Sequence, residues 1–351
     1  MEVKSYFEDF LEEIRLTDSQ VEELKKAHID VREKLKNFEG LKDIIVNTFL
    51  QGSYRRYTAV KPEENSKADV DVVIVTNLNK DINSPENVFN KFIPFLDTYY
   101  ENRYKKQGRS ICIEFNKIKL DLVPTSAPNE QQINLLRNFS TIDFNYIATD
   151  SKDNIFFNEE FSKRWKNEPL YIPDREAKIW DKTHPLKQIE WTSKKNSDTN
   201  KLYVNVVKAL KWWKREKCAH IKYPKSYPLE HFIGFCCPNN ITSIAEGVKV
   251  VLENIVSNHK AKPFLPDHGV PEHDVFARIT TKEYEQFYKK VQEAANIAKE
   301  AFESNDIIYS VTKWRELFGN KFPKAEDKNN NSNSFSERKE KSINIPKSRF
   351  A

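Results

Sequence analysis

Seven residues, Asp69-Val-Asp-Val-Val-Ile-Val75, restrict the folds open to this chain more than any other stretch. Five β-branched apolar residues in seven read as a strand covered on both faces, in the middle of a sheet. Side chains alternate along a strand, so Asp69 and Asp71 leave the same face. Two like charges so close resist burial, so the pair calls either for a cation or for a strand end open to water. On this segment alone the two readings stand level.

The flanking text supplies the rest of a sheet. Ile44 to Leu50 reads as a strand and runs into Gln51-Gly-Ser-Tyr-Arg-Arg-Tyr-Thr58, then a polar loop at Lys61 to Lys67. A helix is predicted from Pro85 to Tyr104, with Pro94 kinking or interrupting it. Ser110 to Phe115 and Lys119 to Val123 form a hairpin across Asn116-Lys117, and Asp121 has strand parity between two leucines. Upstream, a helix is expected from Tyr6 to Ile14. Thr17 and Gln20 then form a capping box for a second helix, whose Val21, Leu24, His28, Val31, Leu35 and Phe38 recur at helical spacing as far as Gly40. The stretch from 124 to 200 carries five prolines and reads as irregular. Helices return at Asn200–Lys217, Leu229–Cys236, Ser243–Val256, Lys282–Phe302 and Val311–Phe318. The class is therefore α+β, a mixed sheet packed against a helical C-terminal half. We divide it into N-terminal helices at 1–40 packing across both lobes, a sheet core at 41–195, a helical unit at 196–324 and a flexible basic tail at 325–351.

Charge decides which partners fit. The chain has 57 Lys+Arg against 52 Asp+Glu. Eight basic and four acidic residues fall in 321–351, leaving 49 and 48 for the other 320. A nearly neutral folded part carries no global signature for long duplex nucleic acid. No apolar run approaches the roughly 18 residues of a membrane span. Four cysteines make no disulfide framework, so a reducing cytoplasm is the expected location. Cys218, His220, Cys236 and Cys237 lack zinc-knuckle spacing and read as buried thiols.

Asp69, Asp71 and Asp121 together suit two divalent ions that clamp a triphosphate and an incoming hydroxyl. Gly52-Ser53, after a strand, can turn backbone N–H groups and a hydroxyl toward phosphate, although alone it reads as an ordinary turn and it is no Walker motif. Lys208 and Lys211, three apart on one helix, suit a phosphate-binding face or any amphipathic surface. Arg55 and Arg56 fit a triphosphate contact or a solvated turn equally.

The ordered set Gly-Ser-Tyr-x-x-x-Thr, Asp-x-Asp and Leu-Asp-Leu resembles the polymerase-beta-like nucleotidyltransferases. Within them the chain is similar to the bacterial cyclic oligonucleotide synthases of antiphage defence, relatives of cyclic GMP-AMP synthase and oligoadenylate synthase. Leu210-Lys-Trp-Trp213, Ser226-Tyr-Pro-Leu-Glu230 and Trp314-Arg-Glu-Leu-Phe-Gly319 extend the resemblance over residues 40 to 323. It implies that Gly52, Ser53, Lys208, Lys211 and Ser226 hold nucleotide phosphates and that Tyr227 stacks on a base. It also implies that Asp69, Asp71 and Asp121 are the catalytic metal ligands, binding two Mg2+ ions, with Mn2+ as a substitute. The implied activity makes a cyclic di- or trinucleotide from nucleoside triphosphates, releases pyrophosphate and signals to a downstream effector. Helper proteins of that system are expected at the C-terminal tail. Pro266-Asp-His-Gly-Val-Pro271, followed by His273-Asp274 in place of an asparagine pair, departs from the pattern and bears on base recognition or a lid. Three rivals remain: a synthase of linear oligonucleotides, an enzyme extending RNA ends, and an inactive nucleotide-binding scaffold.

Overall fold

The computed structural model describes residues 1–64, 66–127, 129–137 and 168–325. Helix α1 (Lys4–Ile14) leads into α2 (Asp18–Asn37). The capping box forms at the start of α2: the Gln20 N–H donates to Thr17 Oγ1 at 3.2 Å and the Thr17 N–H to Gln20 Oε1 at 3.0 Å. Strand β1 (Ile45–Gln51), the short helix α3 (Gly52–Arg55) and β2 (Ala68–Thr76) follow. The long helix expected from Pro85 is two helices, α4 (Pro85–Lys91) and α5 (Ile93–Tyr100), broken just before Pro94, which has no N–H to continue the ladder. Tyr104 is not helical but opens an edge strand, β3 (Tyr104–Lys106), because Asn102 turns the chain with a left-handed φ of 59°.

The hairpin forms as read, β4 (Ile111–Glu114) against β5 (Ile118–Ser126). The irregular stretch does not hold where it is described. After α6 (Glu130–Arg137), β6 (Leu170–Asp174) and β7 (Ile179–Thr183) add a second hairpin, and α7 (Pro185–Asp198) starts on Pro185. Residues 138–167, and the expected tail beyond Ala325, lie outside the described residues. The strands run in the order β1-β2-β5-β4-β3, with β6 pairing β5 and β7. β2 and β5 are parallel and their other neighbours antiparallel, so the sheet is mixed.

Alternation then places the acids. Val70, Val72 and Ile74 of β2, with Leu120 and Leu122 of β5, pack on Leu24, Val31 and Leu35 of α2 and on Phe89 and Phe95. Each such side chain contributes about 1.5–3 kcal/mol on full burial. Val73 and Val75 point the other way, into a cluster with Phe49, Leu170 and Ile189. Asp69, Asp71, Lys119 and Asp121 share that second parity.

The helical half is built from α8 (Tyr203–Lys217), α9 (Ser226–Cys236), α10 (Ile244–Asn258), α11 (Thr281–Glu303) and α12 (Ile307–Phe318). An apolar stripe of α8, with Val206, Ala209, Leu210 and Trp213, lies in its core. Helix α1 joins this second core, Phe7 meeting Trp314 edge-on at 5.1 Å, whereas α2 belongs to the sheet.

Candidate active site

Gly52 ends β1 with a φ of +74°, and a Cβ there would lie 1.8 Å from Asp71 Oδ2. Only glycine lets the turn close on the carboxylate. The turn thus brings Ser53 beside the acidic face of the sheet.

In the parallel β2–β5 pair Asp71 stands opposite Asp121, and Asp69 opposite Lys119. One carboxylate oxygen from each of Asp69, Asp71 and Asp121 lies within 4.8 Å of the others. Burial, reinforced by the neighbouring carboxylate charges, raises the Asp69 and Asp71 carboxyls above their usual range, and burial also raises Asp121. Lys119 Nζ sits 3.8 Å from Asp69 Oδ1. Cys112, opposite Asp121 on β4, keeps a protonated thiol against it, pushed up to about 12 mainly by burial. Asp69 Oδ1 and Asp121 Oδ1 are buried with no hydrogen-bond donor. Buried anionic oxygens lacking donors and facing one another fit a divalent cation. Among the described residues this is the one cluster of three or more such side chains with compatible spacing. Cys218, Cys236 and Cys237 are separately buried, their thiols raised to between about 11 and 12 by desolvation.

A cavity of about 510 Å³ opens in front of the acids, lined by Ser53, Asp69 and Lys119 from the sheet and by Lys211 and Ser226 from the helical half. Of the other residues anticipated from sequence, Gly52, Asp71 and Asp121 form the ground behind it. Lys208 is buried on α8, 5 % exposed, and does not line it. Tyr227 is half-buried one residue past Ser226; its hydroxyl donates to Asp267 Oδ2 at 2.6 Å, and Gln188 Nε2 reaches the same oxygen at 3.0 Å. The departure at 266–271 therefore reaches the site through Asp267.

Sequence reasoning missed a buried polar group between the two halves. Arg56, left open between a triphosphate contact and a solvated turn, is buried and so not in a solvated turn. Its Nε donates to Glu230 Oε1 at 2.7 Å, with the two side chains 5 % and 3 % exposed. Thr58 Oγ1 donates to Glu230 Oε2 at 2.7 Å, and Lys211 Nζ to the Thr58 carbonyl at 2.8 Å. The Arg56 guanidinium lies 5.2 Å above the Tyr227 ring. One signal was legible: Glu230 sits with His231 between Leu229 and Phe232 on a core helix, and a buried carboxylate needs a cation or donors.

Comparison with known proteins agrees with this geometry. Residues 1–155 match the Second Messenger Oligonucleotide or Dinucleotide Synthetase domain. The chain is 42% identical to a cyclic AMP-AMP-GMP synthase of Enterobacter hormaechei subsp. hoffmannii, covering 92% of each protein. It is 28% identical to a cyclic AMP-AMP-AMP synthase of Acinetobacter sp., covering 93% of this chain and 87% of that one. The fold matches the crystal structure of Vibrio cholerae cyclic AMP-GMP synthase with nonhydrolyzable GTP, at a TM-score of 0.68 and 14% identity over 92% of this chain and 97% of that one. Identity of that degree over nearly the whole length, on this sheet and with these three acids, makes the chain a member of the second messenger oligonucleotide or dinucleotide synthetases, nucleotidyltransferases that build cyclic oligonucleotides from nucleoside triphosphates.

Proposed function

We propose that this enzyme makes cyclic AMP-AMP-GMP from ATP and GTP as an antiphage signal. The observation that carries the chemistry is the alignment of Asp71 with Asp121 across β2–β5, beside Gly52 and Ser53. The choice of product is supported by the 42% identity to a synthase of that name. Three phosphodiester bonds form in turn. In each, a ribose hydroxyl attacks an α-phosphate and pyrophosphate leaves, and the last attack closes the ring.

Asp69, Asp71 and Asp121 would hold two magnesium ions, replaceable by manganese, which when bound would supply Lewis-acid activation of the hydroxyl and neutralise charge on the departing pyrophosphate. The Ser53 hydroxyl and the N–H groups of the Gly52 turn bind the donor phosphates. Lys211 and Ser226 grip them from across the cavity. Tyr227 offers a ring for a base to stack on, with its hydroxyl fixed by Asp267. Lys208 is not part of this set. No residue need act as covalent nucleophile. Helper proteins acting on the C-terminal segment, and an effector that reads the messenger, complete the proposed system.

The test is incubation of the purified chain with radiolabelled ATP and GTP, with and without magnesium. A phosphatase-resistant product with the mass of two adenylates and one guanylate, formed only with both nucleotides and the metal, is expected. A phosphatase-sensitive product would make it a linear synthase, and labelled RNA ends an RNA-extending enzyme. Nucleotide binding without pyrophosphate release would make it a scaffold.

A further inference from the structure

Three sequence motifs far apart in the chain end on one buried polar node. Thr58 closes the Gly-Ser-Tyr motif, Glu230 closes the Ser-Tyr-Pro-Leu-Glu motif, and Lys211 belongs to the tryptophan-rich helix. Glu230 spends one oxygen on Arg56 and the other on Thr58, both at 2.7 Å, while Lys211 holds the Thr58 carbonyl. On the sheet side this node is tied by backbone to the phosphate turn: the Arg56 N–H donates to the Gly52 carbonyl at 3.1 Å and the Thr58 N–H to the Ser53 carbonyl at 2.9 Å. On the helical side Glu230 lies one turn after Ser226 on α9, and Arg56 covers a face of Tyr227.

We infer that Arg56, Thr58 and Glu230 act as a positioning clasp that sets the distance between the phosphate-binding turn of the sheet and the base-binding end of α9. Stability alone does not account for it, since a buried ion pair often does no better than apolar side chains of the same volume. What a fully partnered pair does supply is a fixed direction and separation, because each oxygen of Glu230 has its own donor. A nucleotide binds both ends at once, so its affinity exceeds that of either fragment only while the ends stay in register. The inference rests on the reading above that Ser53 meets phosphate and Tyr227 meets base.

Affinities of ATP, inorganic tripolyphosphate and adenosine for the full chain separate this from a general structural role. Thr58→Val removes one donor at nearly constant volume. It should weaken ATP by about tenfold or more while leaving both fragments within about twofold, and Thr58→Ser should restore ATP binding. The paired variant Arg56→Gln with Glu230→Gln, which removes both charges of the ion pair together, should show the same selective loss if Thr58→Val fails to fold. Equal weakening of all three ligands, or no weakening of ATP, overturns the clasp. Pyrophosphate release by the wild type is measured alongside. Absence of release with tight ATP binding would remove the proposed reaction and leave the clasp to be judged on the three affinities. A wild type that binds ATP no better than its fragments overturns the clasp even when it turns over.

Discussion

Gly52 tolerates no side chain, on two separate grounds. Its left-handed backbone costs any other residue about 1–2 kcal/mol, and a Cβ there would collide with the Asp71 carboxylate. Gly52→Ala must therefore push the carboxylate or the turn aside. Displacement by about 1 Å can cost around 100-fold in rate, so pyrophosphate release should fall by that order in a chain that still melts cooperatively. Activity within threefold of wild type would show that Asp71 and the turn are not mechanically joined. Lys211 carries a pH signature. Burial, with the Arg56 charge adding to it and Glu230 opposing, lowers its ammonium to about 8. The unfolded chain keeps that proton to about 10.4. Between these values the unfolded state binds more protons, so this lysine makes the nucleotide-free protein more stable as pH rises. A triphosphate held by Lys211, as proposed, would reverse the preference. ATP binding near pH 9 should then take up as much as about one proton, read by calorimetry in buffers of different ionisation enthalpy. Lys211→Met should abolish the uptake, and equal uptake by the variant would remove Lys211 from the phosphate site.

Strands β2 and β5 carry the opposite electrostatic problem, since their three acids face one another. A carboxyl raised in the folded state favours its protonated form. The protein is relaxed at low pH and loses stability as pH climbs from the ordinary carboxylate range near 4 through the raised folded values. In metal-free buffer at pH 7.5 Asp71→Asn should therefore melt higher than wild type, by a few degrees, and the gap should vanish below about pH 4. Magnesium should raise the wild-type melting temperature and leave the variant nearly unmoved. A variant that melts lower at both pH values would mean that the acids do not strain the sheet. These strands were the most legible part of the chain. β2 is apolar on both faces because helices and a second cluster cover it, and parity alone put the acids together. The β6–β7 hairpin was not legible, since five-residue strands containing Pro173 give no periodic signal. Nor was β3, where Tyr104 continued an aromatic pattern that looked helical. The ion pair of Arg56 and Glu230 spans 174 positions, a separation at which no local spacing rule applies.

At the scale of the molecule the site is shared. The sheet supplies the acids and the turn, and the helical half supplies Lys211 and Ser226. Residues 330–351 are rich in Asn, Ser and Lys and contribute none of these groups. Their removal should leave nucleotide synthesis largely intact, since every residue proposed for the site precedes them, while eliminating any helper-dependent conjugation. Lost synthesis would assign the segment to the folded enzyme. The parallel pairing of β2 with β5 has a temporal consequence as well. Antiparallel neighbours such as β1 and β2 can meet across a loop, but Asp121, which comes opposite Asp71, lies fifty positions further along the chain. Pairings between strands so far apart in sequence form slowly, because the chain loses its loop entropy before the contacts compensate. A chain that ends before β5, or in which β5 has not yet paired, thus presents two acids on the sheet and no third. For an enzyme whose proposed product is a signal, the topology acts as a safety catch: the acidic triad stays incomplete until β5 has paired with β2.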